Sequence, residues 1–200
     1  KWDGSENIPL RGEKGSLWEG GIKVPMFVYW KGKIQPGQVI DESVSTLDFI
    51  ATTMALAGGE IPPEFDGANL LPYLSGRTDS IERSKPLFWS WGREAALQEG
   101  DWKVHRIGKH YSLFNLKDDP NEFYDLKLVH PEKFQHMESA LMATNNALPK
   151  AGQSPFNNKA PDLYLIGAPK GTAIEPRFSY PYEGAQPVAY PAPLKTLRSK

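Results

Sequence analysis

The sequence predicts an α/β fold in which one strand and one helix precede a small antiparallel sheet covered by a second helix. Three patterns in the 200-residue chain lead to this prediction. An apolar run over 22–30 precedes a helix-spaced segment over 44–57. Short alternating segments separated by Gly-containing turns fill 86–116, which is typical of an antiparallel meander. A further helical pattern covers 131–148.

The first predicted element is a buried strand with the sequence IKVPMFVYW. Its β-branched and aromatic residues lie between two turn-forming pairs, Gly20-Gly21 and Lys31-Gly32. Pro25 has no backbone N–H to donate to a ladder, so the first half of this segment is expected to be an edge or an entry segment.

The next element is a helix, because five apolar residues recur at a helical spacing and define one face. Asp41 or Ser43 is expected to cap its start, and Gly58 its end. A turn-rich crossing with one short helical piece around 70–74 follows. The apolar face consists of Val44, Leu47, Ile50, Met54 and Ala57.

The meander is predicted from the segments KPLFWSW, EAALQEGDWKVHR and YSLFNL. Gly100-Asp101 supplies the turn of the central hairpin, since apolar residues alternate with polar ones on both sides of it. The helix over 131–148 has Pro131 in its first turn, where a missing N–H does no harm. This helix is expected to pack on one face of the sheet.

Two further patterns have simple structural explanations. Trp89, Trp91 and Trp102 could form a surface for stacking sugars, but packing beneath the helix explains them as well or better. The acids of DDPNE, residues 118–122, lack the alternating ligand spacing of an EF-hand, so an ordinary turn is favoured over a calcium loop.

Composition excludes several classes of function. The formal net charge of −1 gives no electrostatic reason to expect a nucleic acid or an anionic membrane as partner. The chain has no Cys, so disulfides and thiolate metal sites are excluded. No apolar run approaches the roughly 18 residues of a membrane span. Nine prolines fall in 149–200, which predicts an extended tail, and the polar start at Lys1 suggests a chain that begins partway through a longer protein.

The segment PLRGEKGSLWEGG, residues 9–21, is the candidate for chemistry. The order Lys14-Gly15-Ser16 is not that of a P-loop, which requires Gly before Lys and Ser or Thr after it. A plain surface turn remains one interpretation. The alternative is an anion site, because Lys14 is a compact cation between glycines that leave room for a bulky anion. In that case Lys14 is the contact and Arg11 supports the loop.

Four segments resemble those of type I sulfatases, in the same order. They cover roughly the first 130 residues, and four ordered blocks are far more specific than one short motif. The first contains the family pattern Asn-x-Pro-Leu-Arg-Gly-x-Lys followed by Trp-Glu-Gly-Gly. The segments are NIPLRGEKGSLWEGGIKVPMFVYWKGKIQPG, STLDFIATTMALAG, FDGANLLPYLSG and LFNLKDDPNEFYDL.

This resemblance implies the alkaline-phosphatase-like sulfatase fold and hydrolysis of sulfate monoesters. Residues 1–80 would then be the C-terminal end of the catalytic α/β domain. Residues 81–148 would form the C-terminal subdomain of antiparallel strands and one helix, and 149–200 a Pro-rich tail. The implied partners are a small-molecule or glycan sulfate ester and the rest of the parent catalytic domain, with no nucleic acid and no membrane. A periplasmic or extracellular location is the family's common one.

The resemblance also implies site residues and cofactors. Lys14 would be the lysine that contacts the sulfate ester, and His105 or His110 could reach the substrate, with His105 the candidate. The family uses a formylglycine made within Cys/Ser-x-Pro-x-Arg, and usually Ca²⁺ bound by Asp and Asn. Ser154-Pro155 lacks the spacer and the Arg of that motif. The formylglycine and the Ca²⁺ ligands are therefore expected upstream of this chain, and the 200 residues alone are expected to be inactive.

Two alternatives remain at this point. A phosphonate or phosphate monoester hydrolase of the same superfamily would use the same lysine, since any tetrahedral anion suits it. A non-catalytic binding module is the second alternative, because the nucleophile motif is missing.

Overall fold

The structure is a computed structural model that describes residues 7–148. Four helices and four strands lie in this range, and none of these helices is long and apolar enough to cross a membrane. The predicted tail over 149–200 lies outside the described residues. The elements are α1 (Glu19–Ile22), α2 (Thr46–Leu56), α3 (Leu71–Leu74), β1 (Leu87–Trp91), β2 (Glu94–Glu99), β3 (Trp102–Ile107), β4 (His110–Asn115) and α4 (Pro131–Ala147).

The four strands form one antiparallel sheet in the order β1-β2-β3-β4, so the predicted meander is confirmed. Leu97 pairs with Val104, which in turn pairs with Leu113, and these three side chains stand in one row across the sheet. Gly100 has a φ of 57°, as the two-residue turn between β2 and β3 requires. The predicted hairpin turn is therefore confirmed.

The main hydrophobic core lies between α4 and one face of the sheet. Pro131 occupies the start of α4, where a helix can dispense with its N–H. Met137 and Leu141 point from this helix into the core, which confirms the predicted packing. The fully buried members are Ala95, Leu97, Val104, Leu113, Met137 and Leu141.

The three tryptophans of the sheet divide between its two faces. Trp102 packs against the α4 core, and its ring meets that of His130 edge-on at 5.1 Å. Trp89 pairs with Ala96, which lies between the core residues Ala95 and Leu97, so Trp89 is on the other face of the sheet. Trp91 is 61% exposed. Packing beneath α4 is thus confirmed for Trp102 and wrong for Trp89 and Trp91, because side chains alternate between the faces of a strand.

The N-cap of helix α2 is neither of the two predicted residues. Ser45, rather than Asp41 or Ser43, is the N-cap, and it forms a capping box with Asp48. The Gly58 N–H donates to the Ala55 carbonyl, and Gly58 has a φ of 77°. The glycine predicted to end the helix is therefore confirmed.

The buried side of α2 does not coincide with the predicted apolar face. Leu47 and Ile50, on the predicted apolar face, are 41% and 50% exposed, whereas Asp48 is fully buried. The Asp48 carboxylate accepts the Ala68 N–H at 2.7 Å and pairs with Arg83 at 2.7 Å. Asp48 faces the following segment because its carboxylate satisfies groups there, a requirement that outweighs the position of the apolar stripe.

The predicted strand over 22–30 is wrong for the described residues. Ile22 ends α1, residues 23–30 have no regular secondary structure and no ladder partner there, and Phe27 and Tyr29 are 93% and 83% exposed. Met26 and Val28 line an apolar groove together with side chains of α2 and α3. A strand exists only through hydrogen bonds to a neighbour, and the strands of 7–148 all pair among themselves.

Candidate functional site

Residues 9–21, the lysine loop, lie on the face of the sheet opposite α4. Trp18 is 2% exposed and packs in a second apolar cluster with Ile107 and Phe114. Its ring meets that of Phe114 edge-on with centroids 5.6 Å apart. The loop therefore covers a sheet face that would otherwise be exposed, although it precedes β1 by more than sixty residues.

Backbone contacts close the lysine loop. The Gly20 N–H donates to the Arg11 carbonyl at 2.7 Å, and the Ser16 N–H donates to the Glu13 carbonyl at 3.0 Å. A Cβ at Gly20 would collide with the Gly12 carbonyl oxygen, and a Cβ at Gly12 would lie 2.6 Å from the Trp18 Cβ. Gly12 is thus needed for close packing, which corrects the view that it leaves room for an anion.

Lys14 stands at the tip of this loop and is exposed to solvent. Within residues 7–148 it has no hydrogen-bond or ion-pair partner. A Cβ added at the neighbouring Gly15 would meet nothing within 4 Å, so the space beside Lys14 is open. An unpaired ammonium beside open space is suited to contact an anionic group on another molecule.

Arg11, three residues earlier, is buried and points inward. Its guanidinium lies 3.8 Å above the Trp18 ring centroid, and its Nη1 donates to the Glu122 carbonyl at 3.0 Å. Burial lowers the pKa of Arg11 to about 10, although the nearby carboxylate of Glu122 opposes this shift. The predicted role of Arg11 in supporting the loop is confirmed by these contacts.

A buried charge cluster joins the loop to the sheet. Lys103 of β3 is fully buried, with its Nζ 2.8 Å from Glu19 Oε1 and 2.9 Å from Glu122 Oε1. Burial would lower the pKa of Lys103, but the two carboxylates outweigh it and raise the pKa above its usual value. Lys103 is therefore charged in the fold.

Glu122 completes this cluster from the turn after β4. Its Oε2 accepts the Glu19 N–H at 2.6 Å. The backbone φ of Glu122 is 56°, a value that residues other than Gly rarely adopt. Burial raises the pKa of Glu122 above its ordinary value, and Lys103 opposes this shift without cancelling it. The predicted turn over 118–122 is confirmed, but its last residue is also a buried contact of the lysine loop.

His105 lies beneath the loop and is 1% exposed. Its Nε2 is 3.1 Å from Glu94 Oε2, and the same oxygen accepts the Leu17 N–H at 3.1 Å. The imidazole meets the Trp18 ring edge-on at 4.2 Å. Burial lowers the pKa of His105 to about 4, and the hydrogen bond that His105 makes to Glu94 opposes this shift. His105 is thus neutral near pH 7, and the tautomer with a proton on Nε2 satisfies the Glu94 carboxylate.

The other histidines lie away from the lysine loop. His130 is the N-cap residue of α4, and His136 is an exposed residue whose Nε2 lies 3.0 Å from Glu99 Oε2. His110 starts β4 and is exposed. The structure thus brings Lys14 and His105 into the same region but places them on opposite sides of the loop, one exposed and one buried.

The residues over 7–148 do not fit a calcium site. No group of three His, Asp or Glu side chains in this range could hold a metal ion. Glu19 of the lysine loop and Glu122, which contacts it, are already paired with Lys103.

The residues that anchor the loop were not among the predicted site residues. Lys103 lies between Trp102 and Val104, which face α4, so alternation places Lys103 on the other face of the sheet. Glu19 and Glu122 lie within the quoted motif blocks, and the occurrence of charged residues in both was the available signal.

Comparisons with known proteins agree on one family. Residues 13–149 match the family model described as N-sulphoglucosamine sulphohydrolase, C-terminal. The steryl-sulfatase of Rattus norvegicus is 36% identical over 113 residues, which are 56% of this chain and 19% of that protein. Arylsulfatase A of Homo sapiens is 38% identical over 145 residues, covering 58% of this chain and 28% of that protein.

A solved structure shares the fold. The crystal structure of Ps i-CgsB in complex with k-i-k-neocarrahexaose matches with a TM-score of 0.61 at 27% identity, over 70% of this chain and 33% of that one. This chain therefore spans only about a fifth to a third of the length of these proteins.

Proposed function

The chain belongs to the sulfatase family, in its N-sulphoglucosamine sulphohydrolase C-terminal group, and from this membership we propose that it forms part of an enzyme that hydrolyses sulfate monoesters. Within that enzyme, Lys14 contacts the sulfate group of the substrate. The single observation that carries this role is the contrast within one loop: Lys14 is exposed and unpaired among residues 7–148, whereas Arg11 and Glu19 beside it are buried and bonded.

The chemistry of a sulfate ester suits this arrangement. As the S–O bond breaks, negative charge grows on the bridging oxygen while the sulfate oxygens stay anionic. An ammonium group held beside these oxygens stabilises that charge, and a preorganised cation in a dry site is worth several kcal/mol. The anchored loop supplies the preorganisation, because its arms are fixed by buried contacts and only its tip is free.

This chain supplies the sulfate contact and not the whole active site. The family's formylglycine has no precursor motif here, and the described residues do not fit Ca²⁺. We therefore place the nucleophile outside this chain and the metal ligands outside residues 7–148. Residues 7–80 and 81–148 act as one unit in this proposal, because Lys103 and Glu122 of the second range hold the lysine loop of the first.

His105 has a supporting role in this proposal. Its burial under Trp18 and its bond to Glu94 favour a residue that shapes the loop over one that reaches the substrate. The same Glu94 oxygen contacts both His105 Nε2 and the Leu17 N–H, so His105 helps to hold Glu94 against the loop.

The substrate class is a sulfate ester on a small molecule or a glycan. The relatives support this range, since one is a steryl-sulfatase and one related structure is a complex with k-i-k-neocarrahexaose. Phosphate monoester hydrolysis is the less favoured alternative, because the relatives are named for sulfate esters.

The test is Lys14→Ala in the full-length protein that contains this chain. The variant is expected to lower kcat for nitrophenyl sulfate at least about a hundredfold, as loss of one charge-stabilising group does, with an unchanged melting temperature. Lys33→Ala, which removes another exposed lysine, is the matched control and should keep wild-type activity. Retention of most of the wild-type kcat by Lys14→Ala would refute the role. Faster turnover of nitrophenyl phosphate than of nitrophenyl sulfate would favour the alternative.

A further inference from the structure

Both arms of the lysine loop end on one residue of another segment. On the first arm, Arg11 Nη1 donates to the Glu122 carbonyl at 3.0 Å. On the second arm, the Glu19 N–H donates to Glu122 Oε2 at 2.6 Å. Lys14 stands between these two attachment points. Glu122 thus sets the separation of the two arms from outside the loop.

Glu122 is itself held firmly. Its side chain is fully buried, and its Oε1 lies 2.9 Å from Nζ of Lys103, the second residue of β3. Its own N–H bonds to the Asp119 carbonyl at 3.2 Å, within the turn that follows β4. The left-handed backbone at φ 56° directs the carbonyl and the carboxylate toward the same loop.

We infer that Glu122 is a positioning residue for the proposed sulfate contact, acting through the two arms of the lysine loop to hold Lys14 in place. This inference rests on the proposed function for its catalytic consequence. Its structural content is independent of that function, because it states which residue keeps the loop closed.

The Glu122 side chain does two things at this position. Its Oε2 accepts the Glu19 N–H, which an amide oxygen could also do, and its negative charge pairs with Lys103, which only a carboxylate can do. Glu122→Gln keeps the size and one carbonyl oxygen for the Glu19 N–H but removes the charge. The variant therefore weakens the anchor without opening a cavity.

Hydrogen exchange on the 200-residue chain tests the structural part. Glu122→Gln is expected to raise deuterium uptake over 11–21 while β2 and β3 keep their protection. Glu132→Gln, an exposed glutamate at the start of α4, is the matched control and should change nothing in the loop. Unchanged uptake over 11–21 would overturn the inference. If Glu122→Gln does not fold, Arg11→Lys loosens the first arm with its charge kept, and the same local rise in uptake is expected.

A double-mutant cycle in the full-length protein tests the catalytic part. Glu122→Gln is expected to lower kcat/KM for nitrophenyl sulfate about tenfold to a hundredfold, the effect of a misplacement of about 1 Å. In a Lys14→Ala background the same change should cost less than about twofold, because the group that it positions is gone.

The two failures are distinguishable. An equal loss in both backgrounds overturns the positioning role while leaving the sulfate contact of Lys14 intact. Full activity of Lys14→Ala refutes the proposed function and with it the catalytic part of this inference, whereas hydrogen exchange still decides whether Glu122 holds the loop.

Discussion

The ammonium group of Lys103 lies 2.8 Å from Oε1 of Glu19, a residue 84 positions earlier in the chain, and both side chains are buried. This ion pair joins β3 to the lysine loop. The loop that contains Lys14 is thereby held against the sheet, although the two lie far apart in the sequence. The stability of the fold and the position of the loop therefore depend on the same few charges.

Lys103→Met is expected to destabilise the chain by about 3–5 kcal/mol, because it leaves the carboxylates of Glu19 and Glu122 buried without a cation. Urea unfolding followed by tryptophan fluorescence measures the change. Lys85→Met is the control, since Lys85 pairs with Asp66 where both side chains are substantially exposed. That change should cost less than about 1 kcal/mol. Equal effects of the two substitutions would contradict the role of the buried cluster.

Acid is expected to weaken the fold through His105. Its pKa is about 4 in the folded state, against an ordinary value of 6.5 that applies to the unfolded chain. The unfolded chain therefore binds the proton first, so the stability is complete above pH 6.5 and is lost as the pH falls toward 4. The expected loss is about 3 kcal/mol.

His105→Gln should flatten this part of the pH profile, as measured by urea midpoints at pH 7 and pH 4. The groups facing His105 are Glu94, Lys103 and Arg11, and they stay in place in the variant. Glu122, whose pKa is raised, contributes an opposite slope that wild type and variant share. His136→Gln, at an exposed histidine, should leave the profile unchanged. A His105→Gln profile as steep as that of wild type would show that this histidine does not control the acid sensitivity.

Gly20→Ala is expected to cost more than about 3 kcal/mol, because the added methyl group meets the backbone carbonyls of Gly12 and Arg11, which cannot move without opening the loop. Gly37→Ala is the matched control: its φ is 77° and nothing lies within 4 Å of the added Cβ. Only backbone strain of about 1 kcal/mol is expected there. Thermal melts of both variants decide the matter, and a Gly20→Ala melting temperature equal to that of Gly37→Ala would mean that the loop is not closely packed.

The elements that were predicted correctly are those with local causes. Alternation and the Gly100-Asp101 turn define the hairpin, and the helical pattern over 131–148 defines the last helix. These signals lie within a few residues of the structure that they specify. Four ordered motif blocks were likewise enough to indicate the family, which the family match over 13–149 confirms.

The elements that were predicted wrongly have distant causes. The run over 22–30 has the composition of a strand, but a strand also needs a partner, and none of the described residues supplies one. In α2 the buried side was set by the bonds of Asp48 to Ala68 and Arg83, which no helical periodicity encodes.

The sequence by itself determined the four-stranded meander with its covering helix, the family and the position of Lys14 between two glycines. Only the tertiary structure decided that Arg11, Glu19, Lys103 and Glu122 are buried partners and that Lys14 is left exposed at the tip of the loop. The physical reason is that a charge can be buried only where an opposite charge meets it, and these partners come from segments far apart in the chain.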